Sequence, residues 1–467
     1  MKFWQPTALA QAAVIALGAS FASGAAAQSA ADLIKEIQEL KKRVAELEGK
    51  QKATEAAKPA AGQWGMTPEQ AAEFNRIAVK TEATEDNLEM WGIKGLTITG
   101  YMDPTFIYNK RQDKAGFQFL NAVGDDGYNY DNSYFGAAVI DFTKETESGT
   151  RWKLTLAPNR GVGAVFDGQS IVHEATVSIP LTDLQTRLIA GQMPDWSGYE
   201  YLQPTLNKLI THNLLFDFTL PTAYTGVGLD YTQGKWWLRG MVANMNSSRK
   251  NAGEKAPVLA YRVDYSRGEF QGFGFAGVHG KAANFADDIN GDGSLYGESR
   301  VDLFEFDAYF IRGDWTVQGQ ASVGRQKKAA ITPDANGDLR DAQWWGLSGL
   351  VAYKFMPRFE ATARADYINN KKNGGGLLGY TGSDSRNGIG PGVSGLDANG
   401  DPIFIDADRG VNRTALTFGM SYLFDLNTVF KVEYRLDRAS QPVFYNVKDA
   451  SFGKSNHLLG ASVLVSF

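Results

Sequence analysis

From Leu96 to Phe467 the chain repeats one device, a short segment in which apolar and charged residues alternate strictly. In FKVEYRLD, Phe430, Val432, Tyr434 and Leu436 share one face, while Lys431, Glu433, Arg435 and Asp437 share the other. FEATARADY sets Phe359, Ala361, Ala363, Ala365 and Tyr367 against Glu360, Thr362, Arg364 and Asp366, and LAYRVDYS repeats the pattern around Arg262 and Asp264. Successive side chains of a strand point to opposite faces, so each segment carries one apolar and one charged face. Sixteen segments fit: 96–108, 134–144, 151–157, 170–180, 185–193, 223–232, 235–246, 257–266, 271–280, 301–312, 314–325, 344–355, 359–370, 414–424, 428–438 and 458–467. Short connections (ETESG, TQG, RGEF, RGD, MPR, DLN) interleave with long ones. A soluble sandwich gives no reason for every second loop to be long. A transmembrane barrel does, with short turns on one side of the membrane and long loops on the other. An open sheet edge in lipid would leave backbone N–H and C=O groups unpaired, so the sheet must close. The expected fold class is all-β: a 16-stranded antiparallel transmembrane β-barrel over residues 96–467, with a short N-terminal α-helical coiled-coil extension.

Before Leu96 the period is different. Residues 1–27 have one basic residue (Lys2), an apolar stretch and a small-residue close at Ala25-Ala26-Ala27, the pattern of a secretory signal peptide. Over residues 28–50, Leu33, Ile37, Leu40, Val44 and Leu47 are spaced four and three apart, the seam of a coiled coil. Glu36, Arg43, Lys41 and Glu48 fall at its flanks with complementary charge. That seam is about two heptads long and marginal alone, so it needs the attached domain to hold it together. Its a/d residues lean towards a dimer, although the domain behind can impose another number. Residues 51–95 read as an Ala/Lys/Glu-rich linker followed by a short periplasmic helix, opened by Thr67 as N-cap with Pro68 and Gln70 behind it. The net charge of −5 gives no footing for nucleic acid, and the absence of cysteine excludes disulfides and thiolate metal sites. No cofactor is expected.

Sixteen segments, a long third external loop and a terminal Phe467 behind Val465, Val463 and Ala461 resemble the general porins of Gram-negative outer membranes. The preceding coiled coil is similar to the periplasmic trimerising helix that some porins carry. Blocks such as GYMDPTFIYN, LTLAPNRGVGA and GEFQGFGFAGVHGKAANFA resemble more closely an uncharacterised porin-like family. The resemblance implies a homotrimer in the outer-membrane lipid, inserted by the barrel assembly machinery with Phe467 as the signal read, and a channel for ions and other small hydrophilic solutes. Two other classes remain: an outer-membrane barrel hydrolase, and a barrel-anchored tether or adhesin with a plugged lumen.

The third long connection, Pro194 to Pro221, holds Asp195, Glu200, Lys208, His212 and Asp217 among aromatic residues. Its counterpart in porins folds into the barrel, so it is expected either to constrict the pore or to pack over the mouth. Alternation aims Arg187, Arg239 and Arg262 inward near mid-strand, a basic ladder facing the loop's carboxylates. Asp288, Asn290 and Asp292 begin like a calcium loop, but the twelfth position is Ser299 with Glu298 one residue early. The same phrase recurs at Asp334 and Asp397, and Asn-Gly is also favoured in tight turns.

Overall fold

A computed structural model describes residues 41–42, 68–120, 135–161, 170–245, 257–289, 296–330, 332–334, 336–370 and 390–467. The expected signal peptide, Thr67 and the coiled-coil positions Leu33, Ile37, Leu40, Val44 and Leu47 lie outside these residues, as do Asn290 and Asp292. The chain divides into two units, residues 1–97 with 144–147, and residues 98–143 with 148–467.

The first unit contains helix α1 (Pro68–Met90), longer than the short helix expected. Its second half, AVKTEATEDNLEM, has no glycine or proline to stop it, and it continues until Gly92, whose φ of +69° suits a left-handed cap. Gly92 N–H donates to the Glu89 carbonyl (2.9 Å), and Lys144 Nζ donates to the Gly92 carbonyl (2.6 Å).

The second unit is the barrel. Its first stave is β1 (Leu96–Met102) with β2 (Thr105–Asn109), broken at Asp103-Pro104, where proline has no N–H for the ladder. Its second stave is β3 (Lys114–Gln118) with β4 (Ala138–Glu145). Single strands follow: β5 (Arg151–Leu156), β6 (Val172–Pro180), β7 (Thr186–Pro194), β8 (Ala223–Gln233), β9 (Trp236–Met245), β10 (Val258–Gly268) and β11 (Gln271–Asp288). Then come β12 (Tyr296–Arg312), β13 (Trp315–Gln326), β14 (Ala342–Met356) and β15 (Phe359–Asn369). A small hairpin, β16 (Val393–Leu396) with β17 (Pro402–Phe404), stands in a long connection before β18 (Arg413–Leu423) and β19 (Thr428–Ala439). A second hairpin, β20 (Phe444–Asn446) with β21 (Ser451–Gly453), precedes β22 (Ser455–Ser466). All staves pair antiparallel with their neighbours, and there are sixteen.

The second stave corrects the sequence reading, which placed that segment at 134–144 after a long connection. The chain instead turns at residues 110–113 and returns at once, pairing Asn109 with Lys114 and Thr105 with Gln118. The stave continues in β4, which pairs with β1. The segment KAGFQ holds one large apolar residue beside a glycine, too little to register as alternation, yet β2 still needs a partner for its backbone groups. Asp103 fixes the point of re-entry by accepting from Gly136 N (3.1 Å) and Ala137 N (2.5 Å).

Closure is made by β22, which pairs with β19 on one side (Val432↔Ala461) and with β1 and β2 on the other (Tyr101↔Ser466, Thr105↔Ser462). Phe467 N donates to the Gly100 carbonyl (3.0 Å), and Gly100 N to the Phe467 carbonyl (3.2 Å). A Cβ on Gly100 would lie 2.8 Å from the Phe467 ring and 2.5 Å from the Val139 carbonyl, so only glycine allows this clasp. The outer face carries exposed Phe430, Val432, Tyr434, Phe304, Phe306 and Leu347, while Arg364, Glu433, Arg435 and Asp437 are buried inside. Around the short turns runs a belt of touching rings: Trp236–Tyr265, Tyr265–Phe273, Trp315–Tyr353, Phe359–Tyr422 and Tyr422–Phe430. Such a girdle marks a membrane–water boundary.

Candidate constriction site

The loop between β7 and β8 leaves the fifth and sixth staves and is bonded to staves thirteen to fifteen, on the opposite wall. Glu433 of β19 accepts from Ile210 N (2.6 Å), Thr211 N (3.1 Å) and Thr211 Oγ1. Arg435 donates to the His212 carbonyl (2.6 Å), and Arg364 of β15 to the Thr211 and His212 carbonyls (2.7 and 2.8 Å). Lys431 Nζ holds the carbonyls of Pro204 (2.7 Å) and Asn207 (2.6 Å). Loop carbonyls and N–H groups, unpaired by any ladder, thus find charged partners on alternate positions of two strands. Inward-facing glycines receive the loop's apolar side chains: a Cβ on Gly419 would collide with Leu209, and one on Gly346 would stand 2.9 Å from Leu215. A short helix α2 (Leu214–Phe218), N-capped by Asn213, turns the loop back towards β8.

Of the predicted loop residues, Glu200 is buried and bonded to Arg364 (2.7 Å) and Asn213 N (2.5 Å), so it braces the loop. Asp195 is likewise engaged, by Tyr224 Oη (2.7 Å) and by Ser197 N and Oγ (2.9 and 3.1 Å). His212 stacks on Phe216 at 4.1 Å and bonds the Tyr201 carbonyl (2.6 Å). Asp217 lies half-buried within α2. Lys208 keeps 31% of its side chain exposed while bonded to Glu360 (2.8 Å).

The three arginines do share a row of the wall, since Arg187 is in register with Asp230, Asp230 with Arg239, and Arg239 with Arg262. They are not a free basic ladder. Arg187 sits near the short-turn end of β7, not at mid-strand, and donates to the Gly149 carbonyl (2.6 Å) and Ser178 Oγ (2.6 Å). Arg262 is buried among Asp264 (2.8 Å), Asp307 (2.7 Å) and Glu305 (3.9 Å). Arg239 is bonded to Asp230 (2.7 Å) and lies over the rings of Trp237 (4.3 Å) and Trp196 (5.0 Å), yet its side chain remains 23% exposed. Lys153, between Glu174 (2.8 Å) and Asp141 (3.7 Å), is similarly accessible. Arg239, Lys153 and Lys208 are thus each partly exposed and each paired with a carboxylate.

Sequence reasoning missed an apolar stretch of inner wall. Met241, Val258, Ala260, Val278, Val301, Leu303 and Trp344 of β9–β14 form one buried cluster, against which Trp196 and Phe216 of the loop pack. Its signal was legible: towards the long loops, MVANM and VLA have apolar residues at inward positions too, as strands covered on both faces do. The repeated Asp-Ala-Asn-Gly-Asp phrases are turns. Asp334 Oδ1 accepts from Asn336 N and Asp338 N (2.8 and 2.9 Å), and Asp397 Oδ1 from Asn399 N and Asp401 N (both 2.8 Å).

Sixteen antiparallel staves with the third long loop turned inward define a porin-type barrel. The chain belongs to the family described as "Protein of unknown function (DUF3138)", which it matches over residues 69–467. No curated protein matches it. Among solved structures it is similar to an anion-selective porin from Comamonas acidovorans, at 10% identity and TM-score 0.50, covering 80% of this chain and 99% of that one. The outer membrane channel DcaP of Acinetobacter baumannii (11%, TM-score 0.49, 80% and 97% covered) and the trimer form of OmpT, an outer membrane protein of Vibrio cholerae (12%, 0.49, 80% and 99%), are also similar. At these identities the likeness concerns the fold.

Proposed function

We propose that this chain is an outer-membrane porin: a homotrimeric, non-enzymatic channel through which ions and other small hydrophilic solutes diffuse. In this reading the barrel assembly machinery inserts it, guided by Phe467, with the N-terminal segment in the periplasm. The observation that carries the reading is the loop bonded to the opposite wall, together with paired charges that stay partly exposed. A loop of this kind narrows a lumen, and Lys208, Arg239 and Lys153 with their carboxylates supply the transverse field that sorts solutes. The experiment is conductance of the purified protein in a planar bilayer, with reversal potential under a salt gradient. The apolar inner cluster favours a second reading, a barrel whose lumen is closed by the loop and which serves as an anchor. Folded protein that inserts without conducting would establish that second reading.

A further inference from the structure

We propose that the outward face of the closing seam, where β2, β22 and β19 meet at the long-loop end, binds the phosphate-bearing headgroup of a membrane lipid. This rests on the reading of the barrel as an outer-membrane protein. From Phe430 the outward positions of β19 run Val432, Tyr434 and Leu436, and then Arg438. On β22, Val465 and Leu459 lead up to His457, and on β2 exposed Tyr108 leads to Lys110. The apolar band thus ends at one level on three neighbouring staves, and cations begin there. Lys110 N donates to the His457 carbonyl (3.0 Å), while His457 faces Leu436, and Ser455 faces Arg438. The charged groups acting on His457 are Lys110, Arg111 and Arg438, every one a cation.

Tyr434 Oη lies 2.8 Å from His457 Nδ1. When the phenol donates to Nδ1, the neutral ring keeps its proton on Nε2, the nitrogen left to face outward as a donor. Exposed Lys110 and Arg438 make no side-chain hydrogen bond or ion pair among the described residues.

The barrel contains an internal comparison. At the long-loop end of β10–β13 a second outward tyrosine–histidine pair, Tyr261 with His279 (3.4 Å), stands beside Arg300 and Arg325. There Asp302 takes His279 (3.2 Å), Arg300 (3.0 Å) and Arg325 (3.1 Å), so the cations have a carboxylate in the protein. At the seam, among the described residues, no carboxylate is bonded to Lys110, Arg438 or His457; Asp113, in the turn that follows Lys110, is paired instead with Lys448 (2.7 Å). A cation at the edge of the hydrocarbon is stabilised when an anion meets it, and at that depth the anions a membrane offers are headgroup phosphates.

The test uses full-length protein refolded in detergent with a bisphosphorylated glycolipid of the lipid A type, and reads bound lipid by native mass spectrometry. Lys110→Gln with Arg438→Gln should reduce retained lipid about thirty-fold, and His457→Phe should reduce it further. Arg300→Gln with Arg325→Gln should retain it as the wild type does, and inorganic phosphate should not displace it. Equal retention in the seam and comparison variants would overturn the proposal. So would loss of the oligomer with unchanged retention in the seam variant, which would mark the seam as a contact between copies. Heat-modifiability and bilayer conductance of the same preparations separate this outcome from failure of the porin reading, because the outward seam does not line the lumen.

Discussion

At the scale of single residues, two arginines in one register pair have different tasks. Arg262 is buried in contact with Asp264, Asp307 and Glu305, while Arg239 shares one bond partner, Asp230, with water at its other side. Removing one partner from a buried charge cluster leaves the rest uncompensated, at a cost of about 3–5 kcal/mol. Arg262→Ala should therefore lower the denaturant midpoint of the folded barrel, whereas Arg239→Ala should leave it near the wild-type value. Selectivity should sort them the other way. Arg239→Ala should shift the reversal potential towards cations by an amount corresponding to about 1 kcal/mol, a several-fold change in permeability ratio. Equal midpoints for the two variants, or an unmoved potential in Arg239→Ala, would show that burial does not divide structural from selective charges here. Phe467 belongs to this scale as well. Its paired hydrogen bonds to Gly100 complete the seam, and its deletion should reduce heat-modifiable barrel in outer membranes without affecting export across the inner membrane.

At the scale of elements, the loop from Asp195 to Leu220 is held by strands that the sequence already marked. The alternating segments FKVEYRLD and FEATARADY place Lys431, Glu433, Arg435, Glu360 and Arg364 inward, and these are the residues that grip the loop or bond to Lys208. Alternation fixes the face of a side chain but not what reaches that face from across the lumen, so the loop's carboxylates looked free when Glu200 was already taken by Arg364. The strand ladder was legible where apolar and polar residues alternate with period two, and least so at MVANM and VLA, where both faces are apolar, and at KAGFQ, where pairing with β2 overrides a weak local pattern. Gly419 gives a direct handle on the docked loop. Gly419→Leu would put a side chain where Leu209 lies, and should free the loop from the far wall with the sixteen strands intact. Single-channel conductance should then rise. An unchanged conductance in a folded Gly419→Leu barrel would mean that the loop is not what narrows the lumen. The N-terminal seam has its own test: deletion of residues 33–47 should leave a folded barrel whose oligomer dissociates at lower temperature on native gels, and an equally heat-resistant oligomer would make the segment a spacer.

At the scale of the whole molecule, a closed wall, an aromatic girdle and an inward loop agree with the proposed passage through the barrel. The same wall also carries the apolar cluster from Met241 to Trp344, against which Trp196 and Phe216 of the loop pack. Asp230–Arg239, Lys153–Glu174 and Lys208–Glu360 are pairs whose cations stay partly exposed. A path along these pairs requires that water be continuous past the loop. The measurement that tests this most directly is the current through a planar bilayer after addition of the purified, heat-modifiable protein. The account predicts discrete, voltage-independent conductance steps whose reversal potential moves in the Arg239→Ala protein. Correctly folded, inserted barrels that pass no current would contradict it.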